Sequence, residues 1–276
     1  MSQFDLHSHS THSDGLLRPS ELIDRAARRG VATLALTDHD AVSGLAEAQA
    51  AAERQGIALV RGVEISVTWE GRTLHVVGLH IDPENRELAA GLEQVRSGRR
   101  RRAEAMAANL ERAGIAGSLE GAHAYAANPA LVSRTHFARF LVEHGHARDL
   151  QAVFRKYLTS GRPGYVPHEW ASLEQAVSWI RRSGGMPVLA HPGRYKLDTA
   201  QRERLLTQFK DLGGTSVEVV TGSHTVQQFA AWGRYAQHYG LSASAGSDFH
   251  GPGESYRDLG DLPALPAGCV PVWSQF

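Results

Sequence analysis

Short apolar runs rich in Val, Leu and Ala alternate with longer stretches of helical period at both ends of this 276-residue chain. That rhythm belongs to α/β domains with a parallel sheet, and few other architectures tolerate it. Seven runs read as strands: 4–7, 33–37, 58–63, 73–79, 186–190, 216–220 and 242–245. The first helix opens at Pro19, where a missing backbone N–H costs nothing, carries Leu22, Ile23 and Ala26 on one face, and stops at Gly30. A second is expected over 43–55, ended by Gly56. Between His80 and Met186 the strand signal disappears, and the stretch reads as helices near 86–113, 119–127, 134–145, 147–158 and 172–183, separated by Gly, Pro and Asn. The expected organisation is one α/β domain built from 1–85 and 185–276, with a helical insertion over 86–184.

Composition removes several function classes. Lys plus Arg and Asp plus Glu both number 29, so no whole-molecule field draws in nucleic acid, and any polyanion binding is local. The single cysteine, Cys269, excludes an intramolecular disulfide and a thiolate metal cage. No apolar run approaches the roughly 18 residues of a spanning helix. The start, Met1-Ser2-Gln3-Phe4-Asp5, lacks a basic segment followed by an apolar one. The expectation is a cytoplasmic enzyme, not membrane-bound, with no obligate protein partner. Fifteen histidines remain to be explained.

Their positions are informative, because metal-binding side chains fall at the carboxyl end of nearly every expected strand. His7 and His9 follow the first, Asp38, His39 and Asp40 the second, Glu64 the third; His75 lies in the fourth, His191 follows the fifth, and Asp248 and His250 follow the last. In parallel α/β folds loops converge at this end and sites are built there. His7-Ser8-His9 on extended backbone puts both imidazoles on one face. Asp14, two residues after His12 and followed by Gly15, lies in a loop able to fold over the same mouth. A surface turn is the plain alternative for 37–40, since burying such groups without a metal or counter-charge is costly.

His7, His9, Asp14, His39, Glu64, His75, His191, Asp248 and His250 are too many donors for one catalytic ion, which takes about three protein ligands, and suit two or three ions with Glu64 or Asp248 bridging. Mixed imidazole and carboxylate donors without thiolate fit Mn, Fe or Zn. Clustered divalent ions with open positions serve phosphoester hydrolysis, activating water and neutralising phosphoryl charge, and no serine or cysteine nucleophile is needed.

Phe4-Asp5-Leu6-His7-Ser8-His9-Ser10, His12-Ser13-Asp14-Gly15, Ala35-Leu36-Thr37-Asp38-His39-Asp40, Gly62-Val63-Glu64-Ile65-Ser66, Leu189-Ala190-His191-Pro192 and Gly246-Ser247-Asp248-Phe249-His250 together resemble the motifs of the PHP (polymerase and histidinol phosphatase) metallophosphoesterases. The resemblance implies a distorted (β/α)7 TIM-like barrel carrying the helical insertion, and a di- or trinuclear centre held by the nine donors above, with Mn the first choice of metal and Zn or Fe the alternatives. His80 competes with His75 within the same stretch. The insertion, with Ser133-Arg134-Thr135-His136 and Gly164-Tyr165-Val166-Pro167-His168, resembles the branch that removes the 3′-phosphate of nucleoside 3′,5′-bisphosphates and also trims short RNA as a 5′ to 3′ exonuclease. It implies catalytic duties for His39, Asp248 and His12.

The second phosphate of such a substrate needs fixed cationic donors. His12, Asp14, Ser133, Arg134, Thr135, His136, His168 and Arg194 are the candidates for substrate binding. The arginines from Arg96 to Arg102 offer a local patch for an RNA backbone, but such a run is more often the solvated face of a long helix, and Glu104 and Glu111 beside them favour that reading. Trp170 and Tyr165 offer rings for base stacking or for the core of the insertion, and core is the preferred reading for Trp170. Two rivals stand beside the bisphosphate phosphatase. One is a small-molecule phosphomonoesterase such as a histidinol phosphatase, which would not need a second phosphate site. The other is a non-catalytic metal- or nucleic-acid-binding PHP module, which missing ligands would signal.

Overall fold

The computed structural model describes residues 3–276. The strands are β1 (Phe4–Asp5), β2 (Thr33–Leu36), β3 (Ala58–Trp69), β4 (Arg72–Leu79), β5 (Ala171–Ser172), β6 (Met186–Leu189), β7 (Ser216–Thr221) and β8 (Ser242–Gly246). Seven of them form a curved sheet in the order β1-β2-β3-β4-β6-β7-β8. The Leu6 N–H donates to the Ala245 carbonyl, and the Asp248 N–H to that of His7. These bonds bring β8 back to β1, and the sheet becomes a nearly closed α/β barrel. A Cβ on Gly246 would lie 2.3 Å from the Cβ of His7, so the seam requires glycine there.

The sheet is mixed where a parallel one is expected. β4 runs antiparallel to both β3 and β6. Only Glu70 and Gly71 separate β3 from β4, both at positive φ, and a two-residue turn can join only antiparallel strands, since a parallel crossover needs about a dozen residues. The hairpin also carries β3 on to Trp69, so Glu64 sits inside a strand rather than after one. β5, in the stretch expected to be helical, pairs with the distal end of β3.

Period-two alternation sorts the barrel. Leu6, Ala35, Val60, Val77, Leu79, Val188 and Ala190 form one small apolar cluster with Val272. Their neighbours Leu34, Leu36, Val76 and Leu189 join the larger core beneath the helices. Around it lie α1 (Pro19–Arg28), α2 (Leu45–Gln55), α3 (Arg86–Arg112), α4 (Ser118–Ala124), α5 (Arg134–Glu143), α6 (Leu150–Val153), α7 (Leu173–Arg182), α8 (Thr199–Asp211) and α9 (Val226–Tyr239). Two cores are represented within 86–184. Leu88 and Leu92 of α3 and Leu173, Ala176, Val177 and Ile180 of α7 pack into the barrel core. A separate cluster, from Ala103 to Leu158, includes Met106, Leu110, Phe137 and Leu141. α3 therefore spans both bodies and fixes the second above the barrel mouth. Among the described residues no helix is long and apolar enough to cross a membrane.

Candidate metal centre

The nine donors converge from seven segments. Ser8 turns away to bond the Ala35 carbonyl through its hydroxyl, which leaves His7 and His9 on the other face of the extended chain. Glu64 stands at the centre: its Oε1 lies 2.9 Å from His75 Nδ1 and from His191 Nε2, and its Oε2 lies 2.8 Å from His39 Nδ1 and 3.4 Å from the Nε2 atoms of His7 and His9. Asp248 Oδ1 is 3.3 Å from His9 Nε2 and 3.5 Å from His7 Nε2. Asp14 Oδ1 is 3.4 Å from His250 Nε2 and 3.7 Å from His39 Nε2. Every donor falls in at least one group whose ligand atoms lie within 4.8 Å of one another.

The donor set fits divalent metal. Glu64 Oε2 and His39 Nδ1, though close, are not aligned as donor and acceptor, and with Asp14 Oδ1 and His191 Nδ1 they are buried without a hydrogen bond, an expensive condition for polar atoms. His7 Nε2 and His9 Nε2 face each other at 3.1 Å, and His75 Nδ1 and His191 Nε2 at 3.3 Å. Lone pairs aimed into shared space are what cations would reconcile. The hard and borderline donors, without sulfur, suit catalytic ions with open positions.

Without metal, the carboxylates, His9 and His191 hold the charge states of ligands, whereas at His7, His39 and His250 burial is outweighed by neighbouring carboxylates, which raise all three, and these would release a proton to a bound cation. Burial raises the carboxyl pKa values of Asp14, Glu64 and Asp248, but the surrounding imidazoles outweigh it and hold all three well below the ordinary range. Burial, then the positive neighbours His250 and His39, pushes His9 down to about 3. Burial, then Arg194, pushes His191 down to about 3. For His250, Asp14 and Asp248 overcome burial and raise the value to about 9.

An outer layer aims these ligands. Glu218 Oε1 lies 2.7 Å from His7 Nδ1, and its Oε2 accepts from the His191 N–H at 2.5 Å. Asp38 accepts from Ser10 and Ser13, and Asp5 from the Ser247 and Gly260 N–H groups. Asp40, His191 and Asp248 hold positive φ values of 50°, 27° and 56°. Such backbone is uncommon outside glycine and persists where surrounding bonds impose it. Glu218 is absent from the expected site, although a lone carboxylate in the otherwise apolar run Val217-Glu218-Val219-Val220 is a readable signal.

The opposite wall of the cleft is cationic. Arg99, Arg102, Arg134 and Arg194 line it, with Ser133, Thr135, Phe154 and Trp170. Arg99 is buried and bonds Asp40 Oδ2 at 2.7 Å and Ser66 Oγ at 2.7 Å. Arg194 Nη1 reaches Asp248 Oδ2 at 3.1 Å. Arg102 donates only to the Val166 carbonyl, and Arg134 lies over the Phe154 ring; neither meets a carboxylate among the described residues. Burial, then Arg134 and Arg99, lowers Arg102 to about 9, which leaves it cationic at neutral pH.

Several expectations are corrected. The arginine run is not wholly a solvated face: three-residue spacing turns Arg99 and Arg102 into the cleft, a helical periodicity the sequence contains. Trp170 is not core. It is half-exposed on the cleft wall, with Arg99 and Arg102 guanidinium carbons 4.7 and 5.4 Å from its ring centre. His12, His136 and His168 do not line the cleft. His12 Nδ1 lies 2.8 Å from Ser43 Oγ. His136 turns inward, and its Nδ1 accepts from the Ser133 N–H at the start of α5. His168 packs against Gly98 and the Trp170 ring. His80, exposed beside Phe276, stands apart from the donors that His75 joins. Ser133 Oγ donates to Asp14 Oδ2 at 3.0 Å and so links the two walls.

A family model described as the PHP domain matches residues 5–213. The chain is 54% identical over 275 residues to a 3′,5′-nucleoside bisphosphate phosphatase of Chromobacterium violaceum, covering 100% of this chain and 96% of that one. It is 44% identical over 272 residues to the 5′-3′ exoribonuclease Rnm of Escherichia coli, covering 98% and 92%. The solved structure of an amidohydrolase from Chromobacterium violaceum, with bound sulfate and no metal, superposes with a TM-score of 0.97 at 54% identity, over 99% of this chain and 95% of that one.

Proposed function

The chain belongs to the PHP family, and from that premise we propose that it is a metal-dependent phosphoesterase that removes the 3′-phosphate of nucleoside 3′,5′-bisphosphates. The observation that carries this reading is the facing of two unlike walls: a cluster of imidazoles and carboxylates on one side, and on the other Arg102 and Arg134, without carboxylate partners among the described residues. A substrate with two phosphates answers both at once, whereas a monophosphate such as histidinol phosphate leaves the arginines unpaired.

Two or three divalent ions, Mn first and Zn or Fe as alternatives, would be held by His7, His9, Asp14, His39, Glu64, His75, His191, Asp248 and His250. Once bound they supply an activated water and neutralise charge on the transferred phosphoryl group. Arg134 and Arg102, with Thr135 and Ser133 beside them, bind the 5′-phosphate and place the 3′-phosphate against the cluster. Arg194, already on Asp248, donates to phosphoryl oxygens. The departing 3′-oxygen requires a proton. We assign the orientation of water to His39 and Asp248, which line the cleft, and the return of that proton to solvent water at the cleft mouth; His12, held by Ser43 outside it, has no part in the step.

Phosphate release after reconstitution with Mn tests the reading, comparing adenosine 3′,5′-bisphosphate, AMP, histidinol phosphate and a short 5′-phosphorylated RNA. The bisphosphate is expected to be the best phosphate donor. Preferred turnover of histidinol phosphate overturns the proposal. RNA cleavage is the second reading, and the architecture beside the metal centre favours it in a particular way.

A further inference from the structure

A second cleft, of about 980 Å³, opens from the same mouth on the side away from Arg102 and Trp170. It shares Thr135, Phe154, Arg194, Asp248 and His250 with the first. Its walls are α6, carrying Gln151, with the turn that continues it, carrying Arg155, and the loop from Gly253 to Tyr256, with Gly222 to Thr225 between them. A nucleoside bisphosphate engages the donor cluster and the arginine wall, both in the first cleft, and leaves this space unused.

A phosphodiester at the cluster carries a second nucleoside on its far oxygen, and beyond Asp248 and His250 the second cleft is open. We propose that this cleft holds the nucleotide on the 3′ side of the scissile phosphate in a 5′-phosphorylated RNA strand. The inference rests on the phosphoesterase reading above. Tyr256 is 76% exposed, yet its hydroxyl accepts from Gln151 Nε2 at 2.7 Å, which ties an open aromatic ring across the cleft. An exposed aromatic ring beside an exposed cation, here Arg155, is the chemistry that binds single-stranded nucleic acid by stacking and phosphate contact. Ser223, in the same wall, holds its Oγ buried without a hydrogen-bond partner.

The loop is pre-organised and joined to the metal ligands. Glu254 takes Arg139 in a two-pronged bond at 2.9 and 2.7 Å, and Arg139 also donates to the Asp14 carbonyl. Ser255 Oγ accepts from the N–H groups of His250 and Gly251. A strand seated there is therefore in register with the cluster. In the step itself the oxygen of water bonds to phosphorus, the P–O3′ bond breaks, and the 3′-oxygen gains a proton. The first nucleotide leaves as a 5′-monophosphate. The phosphate stays on the remaining strand as its new 5′-phosphate, so the shortened strand is again a substrate.

The test is kinetic, on the Mn-reconstituted full chain, with adenosine 3′,5′-bisphosphate and a 5′-phosphorylated adenosine trinucleotide as paired substrates. Tyr256→Ala and Arg155→Ala should each raise KM for the trinucleotide about 5- to 10-fold, the lower range for losing one stacked base, and leave kcat/KM for the bisphosphate unchanged. Tyr256→Phe, which keeps the ring, should recover most of the Ala loss. Equal losses on both substrates, or no loss on either, overturn the proposal. Hydrolysis of the bisphosphate by the unmodified protein with no cleavage of the trinucleotide removes the cleft assignment and leaves the phosphatase reading standing. Hydrolysis of neither removes both.

Discussion

The two walls of the first cleft solve opposite electrostatic problems. On the barrel side, Asp14, Glu64 and Asp248 are compensated by six imidazoles, and Glu218, Asp38 and Asp5 hold the backbone and rings in place. On the rim side, Arg102 and Arg134 are partly buried and have no acidic partner among the described residues. One wall is preset for cations and the other waits for an anion. They meet at Asp14, which takes Ser133 Oγ on one carboxylate oxygen, faces His39 and His250 with the other, and receives Arg139 on its carbonyl. On the proposed reading, the distance between the two phosphate positions is set by these bonds that cross between the bodies.

If this division holds, damage to the barrel wall is indifferent to substrate and damage to the rim is not. Glu64→Ala should have the largest effect. Its carboxylate lies near five of the imidazoles, so its loss should exceed the about 100-fold ceiling for outer-layer partners. Metal content should fall with phosphate release, for bisphosphate and monophosphate alike. Retained turnover with full metal content breaks the metal mechanism. Glu218→Gln touches no substrate, and keeps the size while weakening the acceptors of His7 and His191. About 10- to 100-fold lower Mn affinity or activity is expected, in equal measure for every substrate tested.

Arg134→Ala sharpens the contrast from the other side. A hydrogen bond to a charged group contributes about 1.5–3 kcal/mol, and each 1.4 kcal/mol is about tenfold. kcat/KM for adenosine 3′,5′-bisphosphate should fall about 10- to 100-fold. Adenosine 3′-monophosphate, which lacks the second phosphate, should be hydrolysed by the variant about as well as by the parent. Equal losses on both would place Arg134 on the reacting phosphate instead.

The barrel wall was the more legible in the sequence, for a physical reason. Most of its donors sit where β-strands end, Glu64 and His75 excepted, and strand ends are readable from apolar runs, so His7, His39 and Asp248 announce both their chemistry and their place. The rim is assembled by long-range packing. Arg99 reaches Asp40 only because α3 crosses from one core to the other, and no local pattern reports that crossing. His136 illustrates the same limit, since Ser133-Arg134-Thr135-His136 is equally a phosphate motif and a helix cap until the direction of the ring is known. The antiparallel β4 was readable in principle from Glu70-Gly71, but its consequence, Glu64 inside a strand, follows only from the pairing of Glu64 with Val77.

The rim also differs from the barrel wall in how it responds to acid, and His136 gives the smallest and most specific expectation. Its side chain is 1% exposed, and burial, helped by Arg139 and Arg99 against the pull of Asp14, lowers its pKa from 6.5 to about 4. The unfolded chain therefore takes up a proton in a range where the folded chain does not. Stability from this residue is complete above about pH 6.5 and is lost as pH falls toward 4, at about 1.4 kcal/mol per unit, or about 2 kcal/mol by pH 5. His136→Gln keeps an acceptor for the Ser133 N–H, as glutamine does at this position of a capping box, and cannot titrate. Thermal unfolding of the metal-free protein at pH 7 and pH 5 should show a smaller drop in Tm for the Gln variant than for the parent. Parallel drops would mean that protonation elsewhere governs how the rim detaches, and that the Ser133 turn is held by its bond to Asp14 rather than by the imidazole beneath it.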